Sequence, residues 1–172
     1  MEIERKYLLK TLPENPEQYE SIEMVQGYLN TEPVVRVRRE NDRYVMTYKS
    51  KGLIAREEYN LPLNEEAFAH LIQKADGIVI EKTRYLIPLE EGETIAKRDN
   101  DGHLIHGGKL AELDIFHGVL EGLKFVEVEF DSIEQANAFV APSWFGEDVS
   151  ESGNYQNSKL SQFGIPKEYK GK

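Results

Sequence analysis

Along most of this chain apolar and polar residues alternate with a period of two, in short runs bounded by Gly, Pro, Asn and Asp. Successive side chains of a strand leave it on opposite faces, so the alternation predicts β-structure. The first run puts Ile3, Arg5, Tyr7 and Leu9 on one face and Glu2, Glu4, Lys6 and Leu8 on the other. Further strands are expected over 23–29, 34–40, 43–50, 54–61, 78–89, 109–116 and 124–131. A turn falls at Asn41-Asp42, and a hairpin arm at 94–98 leads to the turn Asp99-Asn100-Asp101-Gly102. Helical spacing is confined to a few places. Residues 13–20 carry a helical turn, and over 65–75 Phe68, Leu71, Ile72 and Ala75 recur three and four apart between an Asn64 N-cap and Gly77. A second helix is expected over 133–140 behind the capping pair Ser132 and Gln135, and a last short one over 155–163. About eight strands and two or three helices predict an α+β fold, predominantly antiparallel β, with the sheet closed or nearly closed. No repeat or linker interrupts residues 1–172, which read as a single domain.

Strand parity then sorts the charges. Arg36 and Arg38 share a face, as do Arg56 and Glu58, Lys82 and Arg84, Glu112 and Asp114, and Glu127 and Glu129; Lys49 lies with Thr47 and Val45. In an ordinary half-buried sheet each such face is simply solvated, with mixed polar residues and both signs of charge. Here acids and bases are largely segregated by strand, acids on the first run and on 109–116 and 124–131, bases between them. Closed with these faces inward, the sheet would enclose a polar lumen with a carboxylate wall and a basic wall.

Composition narrows the chemistry. The absence of cysteine excludes a disulfide scaffold, a thiolate zinc site and a cysteine nucleophile. Crowded carboxylates stay ionised only with cations between them, and without thiolates or a histidine cluster the ligands are oxygen, which favours Mg²⁺ or Mn²⁺. Opposite such a wall, Arg forks and Lys point charges call for a polyanion, for which tripolyphosphate or a nucleoside triphosphate is the natural occupant. The formal net charge of -10 argues against nucleic acid on the outer surface. No apolar run is long enough for a membrane span, and the charged N-terminus MEIERKYLL does not look like a secretory signal, so a soluble cytoplasmic protein is expected.

The same residues resemble the CYTH, or triphosphate tunnel metalloenzyme, family. Glu2-Ile3-Glu4-Arg5-Lys6 is similar to its N-terminal Glu-x-Glu-x-Lys signature. The likeness continues in order through Gln26-Gly27-Tyr28-Leu29, Val35-Arg36-Val37-Arg38, Thr47-Tyr48-Lys49, Arg56-Glu57-Glu58-Tyr59, Glu81-Lys82-Thr83-Arg84-Tyr85, Glu112-Leu113-Asp114 and Val126-Glu127-Val128-Glu129-Phe130. Trp144-Phe145-Gly146 and Tyr155 with Asn157 resemble the family's C-terminal segment. The resemblance implies an eight-stranded antiparallel β tunnel that binds triphosphate with a divalent metal. By matching position, Glu2, Glu4, Asp114, Glu127 and Glu129 would form the metal wall, with Glu112 added by parity. Lys6, Arg36, Arg38, Lys49, Lys82 and Arg84 would hold phosphate oxygens, joined by Arg56 on parity, and Glu58 would orient a base or water. Lys6, Glu58, Lys82 and Arg84 are the residues expected to carry catalysis.

Compact bacterial members of the family suggest hydrolysis of inorganic triphosphate, with Mg²⁺ or Mn²⁺ as cofactor and a small-molecule triphosphate as the partner. Class IV adenylate cyclase activity, nucleoside or thiamine triphosphate hydrolysis, and a non-catalytic polyphosphate-binding module are the alternatives, and a homodimer formed through outer sheet faces is compatible with each. Two features depart from the compact pattern. The stretch 90–109 is long, and its Asp99-Asn100-Asp101-Gly102, His103 and His106 match no EF-hand spacing, so it reads as an extended hairpin at a tunnel mouth or a dimer contact. Ser158 stands where relatives often carry a basic residue on a helix that plugs the tunnel, and Lys159 points about 100° away from it. Tyr28 could gate a tunnel end, whereas Trp144 and Phe145 read as packing residues and His70 and His117 have no partner visible in sequence.

Overall fold

The computed structural model describes residues 1–171, and among them no helix is long and apolar enough to cross a membrane. Ten strands build one antiparallel sheet. They are β1 (Glu2–Leu9), β2 (Glu20–Thr31), β3 (Val34–Glu40), β4 (Arg43–Lys49), β5 (Ala55–Arg56), β6 (Glu58–Leu63), β7 (Asp76–Pro88), β8 (Leu110–His117), β9 (Lys124–Glu129) and β10 (Phe145–Asp148). Helices α1 (Glu65–Ile72), α2 (Ile133–Ala138) and α3 (Asn157–Phe163) lie on the periphery. The strand order β10-β1-β9-β8-β7-β2-β3-β4-β6 would leave β6 as an edge, but β5, separated from β6 only by Glu57, pairs with the start of β1. The path therefore returns to its beginning through a narrow seam at Glu2↔Arg56 and Ile3↔Ala55, and the sheet is a nearly closed barrel. The strands number ten rather than eight because one expected strand breaks at Glu57 into β5 and β6, and because β10 adds itself to β1.

Alternation predicted the long strands well, and the structure extends several of them. In β7 Gly77, expected to end a helix, lies inside the strand with φ +68°. Helix α1 is shorter than expected, and Asn64 Oδ1 does cap it by accepting from the Ala67 N–H at 2.7 Å. At α2 Ser132 Oγ accepts from the Gln135 N–H, while Gln135 Oε1 accepts from Asp131 N–H instead of closing a reciprocal box with Ser132. The expected hairpin arm at 94–98 is reduced to a single bridge, Arg98↔Leu104.

Three apolar clusters position the lumen. The largest, including Tyr7, Leu113, Val126, Val128 and Phe145, fills the space between the outer barrel wall and α2 with β10. A second, with Tyr28, Ile80, Phe116, Phe125, Tyr155 and Leu160, closes the tunnel end against which α3 packs on β7 and β2. The third joins Leu86 and Leu110 to Ala96 and Leu104, so the long connection 89–109 covers the opposite end. The charged lumen lies between these two apolar caps.

Candidate active site

The tunnel holds a cavity of about 190 Å³ lined by seven basic side chains, Lys6, Arg36, Arg38, Lys49, Arg56, Lys82 and Arg84, and by seven carboxylates, Glu2, Glu4, Glu40, Glu58, Glu112, Glu127 and Glu129. Every expected site residue therefore faces it except Asp114. Parity explains the convergence, since each residue sits on the inward face of its strand, and the register explains the neighbours. Glu4 stands opposite Glu129 and Lys6 opposite Glu127 on β1 and β9, while Arg84 stands opposite Asp114 on β7 and β8.

The expected carboxylate wall and basic wall are not separate, because acids and bases interleave in pairs. Glu2 accepts from Lys49 Nζ at 2.8 and 2.9 Å and from Arg56 Nε at 3.1 Å. Glu58 lies 3.3 Å from Lys49 and accepts from Asn60. Arg84 hydrogen-bonds Glu112 and both oxygens of Asp114, and Lys82 donates to Asp114 at 2.7 Å. Asp114 is fully buried and outside the cavity lining, with its oxygens taken by these two cations. Its observed contacts are those of a carboxylate that holds Lys82 and Arg84 in place, not of one turned to the lumen.

The remaining carboxylates are less satisfied. Glu127 Oε1 is buried without a hydrogen bond, with Lys6 Nζ 3.5 Å away. Arg56 stands 3.8 Å from Glu4, and Glu129 has only His106 within ion-pair distance among the described residues. Burial, then the charges of Glu127 and Glu2, push the Glu4 carboxyl up to about 8. Burial, then Glu112 and Glu2, push Glu129 to about 8 as well. Burial would also raise Glu127 and Asp114, but Lys6 and Arg84 hold Glu127 well below the usual range, and Arg84 and Lys82 hold Asp114 low. Burial opposes ionisation of Glu58 and is outweighed by Lys49, which keeps that carboxyl low. Burial lowers Lys82 to about 8 against the pull of Asp114. It also lowers Arg38, aided by Arg36.

These features fit both a polyanion and a cation. The Nε atoms of Arg36 and Arg38 are buried donors without acceptors, and Glu127 Oε1 is a buried acceptor without a donor. With all fourteen lining groups ionised the positive and negative charges cancel, so a triphosphate needs positive charge beyond what the side chains supply. A divalent cation at Glu4, Glu127 and Glu129 would provide it, in place of the protons that repulsion draws onto Glu4 and Glu129. The donor set is oxygen, which suits a hard cation.

Sequence reasoning missed several lining residues. Glu40 shares the parity of Arg36 and Arg38, and that signal could have found it; in the structure it pairs with Arg38. From the chain around α3 come Gln156, which was not foreseen, and Asn157 and Ser158, which are expected from the sequence in the C-terminal segment and on the plugging helix. Asn157 Oδ1 accepts from Lys82 Nζ at 3.3 Å and from Gln26 Nε2 at 3.0 Å, and Lys6 Nζ donates to the Tyr155 carbonyl at 2.8 Å. The α3 end thus offers neutral acceptors in place of charge, with Ser158 buried and Lys159 exposed outside the tunnel. Tyr28 is buried at the cavity wall, Leu104 and His106 arrive from 89–109, and His117 is bonded to Thr83 outside the lumen.

Known proteins are similar to this chain in sequence and in fold. An inorganic triphosphatase of Nitrosomonas europaea is 37% identical over 163 residues, 93% of this chain and 96% of that protein. An inorganic triphosphatase of Acetivibrio thermocellus is 33% identical over 78% of this chain and 77% of its own length. The crystal structure of the inorganic triphosphatase NE1496 superposes with a TM-score of 0.61 at 36% identity, covering 94% of each chain. The CYTH domain family model matches residues 1–163, and with the tunnel and its ordered charges this chain belongs to the CYTH domain family.

Proposed function

We propose that this chain is a divalent-metal-dependent phosphoanhydride hydrolase that cleaves inorganic triphosphate to pyrophosphate and phosphate within the tunnel. The observation that carries the reading is one lumen lined by seven basic groups and seven carboxylates, with unpaired buried donors and an unpaired buried acceptor. The curated relatives named inorganic triphosphatase support the choice of substrate. Glu4, Glu127 and Glu129, with Glu2 and Glu112 beside them, would hold Mg²⁺ or Mn²⁺, which when bound offsets phosphate charge as a Lewis acid.

The side chains account for the rest. Arg36 and Arg38 present guanidinium donors to phosphate oxygens, and Lys6, Lys49 and Arg56 add positive charge from the β1 and β4 side. Lys82 and Arg84, anchored by Asp114, keep their donors fixed as negative charge shifts toward the leaving pyrophosphate. In the reaction an O–P bond forms between water and the terminal phosphorus while the bridging P–O bond breaks and pyrophosphate leaves; one proton of the water stays on the new orthophosphate and the other passes to solvent. Glu58 stays ionised and is a poor proton acceptor, so it suits orienting water or a base rather than taking the proton itself.

Phosphate release from tripolyphosphate is the test, with Mg²⁺ and Mn²⁺ in turn and with ATP and thiamine triphosphate alongside. The expected result is metal-dependent release from tripolyphosphate that Glu4→Ala and Lys6→Ala each reduce at least about a hundredfold. No release with either metal from neutral to alkaline pH, or cyclic AMP formed from ATP, would overturn the reading.

A further inference from the structure

The connection 89–109 brings into the tunnel an imidazole, His106, to which the proposed hydrolysis assigns no part. Its Ala96 and Leu104 pack with Leu86 and Ile22, both of which face the lumen, so the segment is anchored inside the barrel mouth. Just beyond, the Gly108 N–H donates to the Glu129 carbonyl at 2.8 Å and the Lys109 N–H donates to the His106 carbonyl at 3.1 Å. Gly108 has φ +75°, and a Cβ there would lie 3.1 Å from the Phe130 ring, so glycine allows the chain to turn this close to β9. His106 is thereby fixed beside two carboxylates.

The geometry is that of a ligand set. His106 Nδ1 lies 3.6 Å from Glu112 Oε1, and Nε2 lies 3.5 Å from Glu129 Oε2. One potential ligand atom from each of the three residues falls within 4.8 Å of the others. The two short separations involve different ring nitrogens, so for one nitrogen to share an ion with both carboxylates the farther ligand atom closes from within 4.8 Å toward the roughly 3.4 Å that two ligands about 2.1 Å from a tetrahedral ion span. Nδ1 is buried with no hydrogen-bond partner. Arg84 occupies the second oxygen of Glu112 and leaves Oε1 toward the imidazole, while no Lys or Arg reaches Glu129 among the described residues.

We propose that His106, Glu112 and Glu129 form a mixed nitrogen and oxygen cation site at this tunnel mouth, taking Mn²⁺, Co²⁺ or Zn²⁺ in preference to Mg²⁺. Imidazole suits these ions, whereas Mg²⁺ keeps to oxygen ligands and gives up its water reluctantly. The site deepens the reading of the carboxylate lumen as cation-binding, and it gives the long connection a part in metal choice. The exposed trio Asp99, Asp101 and His103 is a separate group, with Asp99 already spent on capping the Asp101 and His103 N–H groups.

Pulsed EPR of Mn²⁺ added to the full chain, without substrate, tests this directly. The expected result is ¹⁴N modulation from a directly bound imidazole in the parent protein and in His103→Ala, lost in His106→Ala and His106→Gln. The Kd for Mn²⁺ should rise at least about tenfold in both His106 variants, and a large excess of Mg²⁺ should leave the ¹⁴N signal in the parent. Mn²⁺ bound by oxygen alone, meaning that His106 makes only an ion pair with the two carboxylates, would overturn the proposal. So would a ¹⁴N signal that survives loss of His106. Mg²⁺-dependent release of phosphate from tripolyphosphate by the parent chain is read separately, so failure of this site and failure of the triphosphatase reading are distinguishable.

Discussion

Replacing Asp114 with Asn keeps the shape of the side chain and removes the charge that holds Lys82 and Arg84 together. Asp114 is fully buried and accepts from Lys82 Nζ at 2.7 Å and from Arg84 Nε and Nη2 at 2.7 and 2.8 Å. Without it, two buried cations adjoin one another, with Glu112 and Glu127 left to compensate Arg84. Breaking a buried pair from one side costs about 3–5 kcal/mol, which at a urea m-value of ~2 kcal/mol/M lowers the unfolding midpoint by roughly 1.5–2.5 M. Lys82→Met in the same background removes one of the stranded cations. The double variant is therefore expected to be at least about 1 kcal/mol more stable than the sum of the single changes implies. Urea unfolding of the metal-free protein, followed by circular dichroism, measures all three variants. An Asp114→Asn cost below about 1 kcal/mol, or strict additivity with Lys82→Met, would refute the assignment of Asp114 as the anchor of the basic cluster.

Other outcomes follow from the same contacts. Glu4 and Glu129, raised from 4.5 to about 8, bind more protons in the folded than in the unfolded chain, so their contribution to stability is full below about 4.5 and is lost as pH rises toward 8. A bound divalent cation takes the place of those protons, and the rise in Tm on adding Mg²⁺ should be larger at pH 8 than at pH 6; an equal or smaller rise at pH 8 would contradict this. Gly77→Ala places a Cβ 2.2 Å from the Ser161 carbonyl oxygen at φ +68°, so it should cost more than about 1–2 kcal/mol in chemical unfolding and expose α3 to limited proteolysis. Asn157→Ala removes the acceptor shared by Lys82 and Gln26, and a loss of about 1 kcal/mol in substrate binding would appear as a roughly fivefold higher KM for tripolyphosphate.

Period-two alternation made the inward faces legible, because Glu2, Glu4 and Lys6, or Arg36 and Arg38, must share a side of any strand that contains them. Parity names a face but not the neighbour across it, and that neighbour depends on register and on the tilt of strands around the barrel. Interleaving of acids and bases, and the opposition of Arg84 to Asp114, therefore became visible only with the pairing. The seam at β5 was hidden because Glu57 interrupts a run that reads as continuous, and β10 because Phe145-Gly146-Glu147-Asp148 is too short to show a period. His106 lies in a segment with almost no regular structure, where apolar anchoring by Ala96 and Leu104 decides its position. Nothing local in sequence announces such an anchor, although a histidine followed by two glycines near an acidic strand is the trace it leaves.

The most direct measurement of the central claim is ³¹P NMR of tripolyphosphate incubated with the purified chain and Mg²⁺. Pyrophosphate and orthophosphate are expected to appear in equal molar amounts, stopped by a chelator and restored by added metal. Tripolyphosphate left intact, or cleaved at the same rate with the metal removed, would contradict it.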